Sequence, residues 1–244
     1  MKQDIFTILE NKALTRDVYK MILAGDTSSV TAAGQFVNIK IDGLFLRRPI
    51  SVCDVEDGKL TIIYKVVGKG TDRMKSMTAG ETLDLLTGLG NGYDISVACD
   101  KPLLIGGGVG VPPLYNLAKK LIAEGKKVSV ILGFNTASEV FYEDEFKALG
   151  CSVTVTTVDG THGVQGFVTN AMDIEYTHFY TCGPEPMLKA VYAKSVTDGQ
   201  FSFEERMGCG FGACMGCSCK TVTGYKRICK DGPVLRKEEI LWQK

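Results

Sequence analysis

The chain has 244 residues, 28 basic and 28 acidic side chains, 45% apolar residues and nine cysteines. Zero net charge argues against a dedicated nucleic-acid binder, which needs a basic surface for counterion release, and the apolar content argues against disorder. The length allows two ordinary domains plus a remainder too small to bury a core of its own.

The N-terminus carries Asp4 and no apolar stretch of signal-peptide length, so a cytoplasmic protein is expected. The longest apolar stretch, from Leu103 to Leu114, is broken by glycines and prolines and too short for a membrane helix. Cysteines in a reducing compartment are then thiols or metal ligands.

In chain order, short runs of alternating apolar and polar residues come first: Phe6 to Leu9, Asp17 to Leu23, Gln35 to Ile41, Pro49 to Val55, Leu60 to Val67 and Thr82 to Leu86. With Asp-Gly turns at 42–43 and 57–58, they predict antiparallel strands closing into a small barrel or sandwich over residues 1–99. From Lys101 the pattern changes to near-continuous apolar strands (102–105, 127–133, 152–158 and 177–182). These alternate with helical stretches at 113–124, 143–149, 168–172 and 186–196, which predicts a parallel α/β sheet over 100–200. Residues 201–244 are rich in Gly and Cys, and a metal centre is expected to order them.

Five cysteines fall within this last segment. Cys209, Cys214 and Cys217 form a C-x4-C-x2-C run, and Cys229 follows after 11 residues. That is plant-type [2Fe–2S] spacing, with glycines at 208, 210, 212 and 216 that let backbone N–H groups approach the cluster. Cys229 is preferred to Cys219 as fourth ligand, because Cys219 lies only two residues beyond Cys217. The competing reading is a four-thiolate structural zinc site, although the paired C-x2-C knuckles usual for zinc are absent.

A second signal is Gly106-Gly107-Gly108-Val109-Gly110-Val111-Pro112-Pro113, between an apolar strand and a helix, where a nucleotide pyrophosphate sits in an open α/β sheet. Gly183, after Cys182, makes a second such strand end. The third signal is Arg47-Arg48-Pro49-Ile50-Ser51, with Ile63-Tyr64-Lys65 and then Gly68-Lys69-Gly70-Thr71. Taken singly, these read as a solvated strand edge and a capped turn.

Together the three signals resemble the ferredoxin–NADP reductase superfamily. Arg48-Pro49-Ile50-Ser51 matches its flavin motif, Gly108 to Pro113 its nicotinamide motif, and Cys182-Gly183-Pro184 its CGP motif. Within it, the chain is similar over its whole length to the electron-transfer subunits of NAD-linked (type B) dihydroorotate dehydrogenases, on Arg47 to Ser51, Leu89-Gly90-Asn91-Gly92, the Cys209 to Cys217 run and Cys229 to Val234.

The resemblance implies an N-terminal antiparallel flavin-binding β-barrel, a parallel α/β nicotinamide domain and a small C-terminal [2Fe–2S] segment. It implies FAD, a [2Fe–2S] cluster and NAD(H), and a partner subunit carrying FMN that oxidises dihydroorotate, in a 2+2 heterotetramer. Arg48 then neutralises the FAD pyrophosphate, Ser51 donates near flavin N5 and Tyr64 packs on the flavin. Pro49, Ile50, Ile63 and Lys65 complete that wall, and Gly70 and Thr71 contact phosphate. Gly107, Gly108, Gly110, Cys182 and Gly183 face the nicotinamide cofactor. No acid–base residue is expected, since FAD performs the chemistry.

Asn135 to Ser138 would meet the adenosine ribose, and the stretch after it, Glu139 to Glu145, is acidic, so NAD(H) is expected rather than NADP(H). Cys53, Cys99 and Cys151 are expected to be packing thiols. From Ser218 to Lys244 seven basic residues face three acidic ones, an excess that would suit an acidic partner surface. The nearest rival reading is a flavin/[2Fe–2S] subunit of a ferredoxin-NAD(P), hydrogenase or sulfur reductase complex; a zinc-stabilised scaffold without redox function is the rival of another class.

Overall fold

The structure, a computed structural model, describes residues 1–98 and 100–242. Cys99, one of the expected packing thiols, lies outside the described residues.

The first six strands are β1 (Lys2–Ala13), β2 (Val18–Ala24), β3 (Phe36–Ile39), β4 (Arg48–Glu56), β5 (Lys59–Lys65) and, after the short helix α1 (Lys69–Lys75), β6 (Thr82–Leu89). They close into an antiparallel barrel in the order β1-β2-β5-β4-β3-β6, so the barrel, not the sandwich, forms. Alternation explains it: Leu83, Leu85, Thr87 and Leu89 point inward along β6, and Phe6, Met21, Leu23, Ile39, Leu60 and Ile62 complete a fully buried interior. Irregularities in β1, β4 and β6 bend the sheet toward closure. The Asp57-Gly58 turn, with φ +66° at Gly58, joins β4 to β5.

The second unit comprises β7 (Pro102–Gly107), α2 (Pro113–Ala123), β8 (Ser129–Phe134), α3 (Glu143–Ala148), β9 (Ser152–Thr157), β10 (Val164–Gln165), β11 (His178–Cys182), α4 (Glu185–Lys194) and β12 (Gly199–Ser202). Both faces of its sheet are covered. Leu104, Val130 and Tyr180 pack toward α2, whereas Leu103, Ile131 and Phe179 pack toward the α4 side. Among the described residues no helix is long and apolar enough to cross a membrane.

The C-terminal segment adds the hairpin β13 (Ser218–Thr221) and β14 (Gly224–Arg227), then β15 (Val234–Arg236). The large sheet runs β10-β9-β8-β7-β11-β12-β15, with β15 antiparallel to β12. The expected boundary near residue 200 therefore falls inside β12, and residues beyond it complete the sheet. Neither β12 nor β15 is foreseen above, because runs of four and three residues carry no readable periodicity.

The barrel and the α/β unit meet along α2. Lys119 Nζ lies 2.8 Å from Asp54 Oδ2 and 3.2 Å from Glu56 Oε1, while Cys53, fully buried, packs with the α2 residues. Burial pushes the Cys53 thiol up to about 12, so at neutral pH it is a packing group.

Candidate functional site

A single cleft of about 1460 Å³ opens where the barrel faces the C-terminal ends of the α/β strands. One wall carries Arg48 to Ser51, Ile63 to Lys65 and Thr71; the other carries Gly107, Gly108, Gly110, Cys182 and Gly183. Of the expected cofactor residues only Gly70 is not on its surface. A cleft of this size exceeds the usual range for a drug-sized ligand and has room for more than one nucleotide.

The two adjacent arginines have different tasks. Arg47 Nη1 lies 2.9 Å from Asp84 Oδ1 and donates to the carbonyls of Asp84 and Asn38, which ties β4 to β6 and β3. Arg48 has no carboxylate within 4 Å among the described residues, and its guanidinium rests on Gly70, where a Cβ would lie 2.2 Å from Nε. Gly70 thus leaves room for the arginine side chain. The Thr71 hydroxyl accepts from the N–H groups of Val67 and Gly68 and donates to the Gly68 carbonyl. It shapes the turn at the start of α1 and borders the cleft. Tyr64 is buried, its hydroxyl donating to Asn11 Oδ1 at 3.0 Å, and burial pushes it up to about 12. Lys65 is offset by Asp17 at 3.1 Å.

On the opposite wall the glycines have distinct steric reasons. A Cβ on Gly110 would lie 2.2 Å from the Cys182 carbonyl oxygen, so the two strand-end loops touch through their backbones. A Cβ on Gly107 would lie 2.5 Å from Met187 Sδ, and one on Gly183 would lie 2.5 Å from Met187 Cε; this α4 side chain, unforeseen above, plugs the space between the loops. Gly108 has φ +52° and nothing within 4 Å, leaving backbone open to the cleft. Burial pushes the Cys182 thiol up to about 12, and the Ser202 hydroxyl partners it. At the end of β8, Glu139 Oε2 accepts from Asn135 N at 3.1 Å and Nδ2 at 2.8 Å, which places a carboxylate on the cleft at the expected ribose position.

The thiols of Cys209, Cys214, Cys217 and Cys229 lie beside this cleft. Cys209 and Cys214 form one hydrogen-bonded pair, Cys217 and Cys229 another, and Cys229 also feels Cys209. The loop between them curls through positive φ at Gly210, Gly212 and Met215. Burial pushes the Cys209 thiol up, but N–H groups of Cys214, Phe211 and Ala213 outweigh it and bring it to about 6. Burial and the neighbouring thiols push Cys229 up to about 12, so loading any metal there must expel a proton. Among the described residues no three His, Cys, Asp or Glu converge on a point suited to one metal ion. Two pairs match a two-iron cluster, which needs two thiolates per iron, better than a single tetrahedral zinc. Cys219 lines a separate cavity of about 270 Å³ with Thr221 and Trp242.

Two clasps hold this loop to the rest of the chain. Arg227 Nε and Nη2 bind Asp231 at 2.9 and 3.1 Å while Nη1 donates to the Gly212 carbonyl. Asn91 exchanges side-chain hydrogen bonds with Val234 N and O, and Gly90 at φ +70° fits beneath Pro233. Leu89-Gly90-Asn91-Gly92 is therefore a seat for the turn after Cys229. Three of the basic residues of this segment are paired internally: Lys226 with Glu239, Arg227 with Asp231 and Arg236 with Asp94.

Residues 204–241 match the iron-sulfur cluster binding domain of dihydroorotate dehydrogenase B, and residues 104–193 match the oxidoreductase NAD-binding domain. The dihydroorotate dehydrogenase B (NAD(+)) electron transfer subunit of Bacillus pumilus is 44% identical over 256 residues, covering 98% of both chains. That of Fusobacterium nucleatum is 44% identical over 257 residues, covering 98% of this chain and 99% of its own. Among solved structures, an NADH-dependent reduced ferredoxin-NADP oxidoreductase aligns with a TM-score of 0.89 at 30% identity over 98% of this chain and 90% of that one. A flavohemoglobin from Malassezia yamatoensis shares the fold at a TM-score of 0.67 and 21% identity, over 80% of this chain and 56% of that one.

Proposed function

The chain belongs to the family of dihydroorotate dehydrogenase B electron transfer subunits, and from that membership we propose that it carries electrons from a dihydroorotate-oxidising catalytic subunit to NAD⁺ in pyrimidine biosynthesis. The observation that carries the proposal is the single cleft shared by barrel and strand ends, with four paired thiols packed beside it. A [2Fe–2S] cluster supplies single-electron transfer and FAD the conversion to two-electron chemistry.

The chain's residues bind and orient. Cys209, Cys214, Cys217 and Cys229 are the thiolates for the cluster. Arg48 is the cation for the FAD pyrophosphate, held in position by Gly70. Pro49, Ile50, Ser51, Ile63, Tyr64 and Lys65 form the flavin wall. Gly107, Gly108, Gly110, Cys182 and Gly183 let the nicotinamide cofactor approach the backbone closely. The balance is complete: dihydroorotate loses two electrons and two protons, NAD⁺ gains two electrons and one proton, and one proton goes to solvent. We assign FMN to the partner, a 2+2 assembly and a cytoplasmic location, the last supported by free thiols at the eight described cysteines.

Two expectations test the binding roles. Gly70→Ala should displace the Arg48 guanidinium and weaken FAD binding roughly tenfold to a hundredfold, the scale of a lost charge-assisted hydrogen bond; flavin fluorescence titration of the apoprotein measures it. At matched subsaturating concentrations NADH should bleach the flavin faster than NADPH, because a 2′-phosphate would meet the Glu139 carboxylate. Glu139→Lys should raise the NADPH/NADH rate ratio by about tenfold or more, since like-charge contacts cost several kcal/mol.

The deciding experiment is co-expression with an FMN-containing dihydroorotate dehydrogenase subunit, followed by dihydroorotate-dependent NAD⁺ reduction. An assembled, fully loaded pair that transfers no electrons from dihydroorotate would refute the proposal and favour a sister reductase.

A further inference from the structure

The cleft and the thiol site share a wall, and Phe36 spans it. This residue stands opposite Ser51 in the β3–β4 ladder and opposite Leu89 in β6. It is 3% exposed, packs in the apolar core that contains Leu89, Cys217, Ile228 and Cys229, and also lines the cleft. Two residues further along the same strand, Asn38 Nδ2 donates to the Cys209 carbonyl at 3.1 Å, so this stretch of β3 meets the cluster loop twice. Met207, two residues before Cys209, comes from the other side and likewise both lines the cleft and packs on that core.

Resting on the functional reading above, we propose that Phe36, backed by Met207, is a positioning wall that sets the separation between the cluster thiolates and the flavin and keeps water out of it. Each passage moves one electron between the two centres, and two passages with one proton match the two-electron reduction of NAD⁺. Phe36 is neither oxidised nor reduced. It contributes close packing, which leaves no room for solvent, and an apolar boundary, which governs solvent access and potential at a metal site. A polar side chain here would be buried without a partner, and a smaller one would leave a gap between the centres.

Anaerobic mixing of the chain, loaded with FAD and cluster, with NADH tests this, because flavin and cluster absorb at different wavelengths. In Phe36→Ala the ratio of cluster to flavin bleaching rates should fall about tenfold or more, and the cluster midpoint potential should shift. Phe36→Leu, which refills most of the volume, should recover both. A loaded Phe36→Ala with the wild-type ratio and potential overturns the proposal. Should Phe36→Ala lose FAD or iron, Met207→Ala is judged by the same readouts, and wild-type values there overturn it equally. A wild-type chain that loads no cluster, or whose flavin does not bleach with NADH, refutes the functional reading instead.

Discussion

Cys229→Ser is expected to abolish the [2Fe–2S] cluster and all dihydroorotate-dependent NAD⁺ reduction, whereas Cys219→Ser should retain both. The difference follows from where the two thiols lie. Cys229 is 1% exposed and paired with Cys217, its N–H 3.4 Å from Cys217 Sγ, while Cys219, in β13, packs at the edge of the same core and lines the neighbouring cavity with Thr221 and Trp242. A cluster that lacks one of four thiolates is left with an incompletely held iron. Because metal binding supplies folding free energy to a segment poor in apolar residues, Cys229→Ser should also loosen residues 204–232. Iron content and visible absorbance check the first effect; amide hydrogen exchange checks the second. NADH-driven bleaching of FAD should survive in Cys229→Ser, since that half-reaction uses the other end of the cleft. Loss of iron in Cys219→Ser with retention in Cys229→Ser would reverse the ligand assignment.

Gly110→Ala is expected to lower NADH-driven flavin bleaching by about a hundredfold, the scale of a misplacement of about 1 Å between reacting groups, with FAD still bound. The added Cβ would lie 2.2 Å from the Cys182 carbonyl oxygen and 2.6 Å from Gly183 Cα. Both are backbone atoms and cannot rotate away, so the loops after β7 and β11 must part. Those loops carry the glycines proposed above to receive the nicotinamide cofactor. Gly125→Ala, away from the cleft, is the control. It meets nothing within 4 Å, and its φ of +76° adds strain of only about 1–2 kcal/mol, so its effect should be clearly smaller. Stopped-flow absorbance with NADH separates the two variants, and equal rates in both would remove the backbone contact as the cause.

Much of this was legible in the residues themselves. Alternation over β1 to β6 and continuous apolar runs over β7 to β11 describe two different sheets, because a half-buried and a fully buried strand have different neighbours and therefore different patterns. The spacing of Cys209, Cys214 and Cys217 indicated a cluster, since the loop that wraps it is local. The glycines at 107, 108 and 110 stood between a strand and a helix, where phosphate binds. These are short-range signals.

Tertiary structure decided what depends on partners far away in the chain. Arg47 and Arg48 are indistinguishable as neighbours and both border the cleft, yet Asp84 claims Arg47 while among the described residues no carboxylate pairs with Arg48. That the Thr71 hydroxyl closes its own turn could not be read from the residue alone. The short strands β12 and β15 join the sheet only because each has a neighbour to pair with. Asn38 reaches Cys209 across 171 positions and Asn91 reaches Val234 across 143. Sequence alone established the chemistry, from thiolate spacing and glycine turns. The wall between the cleft and the thiols was decided by the closed barrel, which brings β3 against a loop from the other end of the chain, because packing follows three-dimensional proximity and leaves no trace in local pattern.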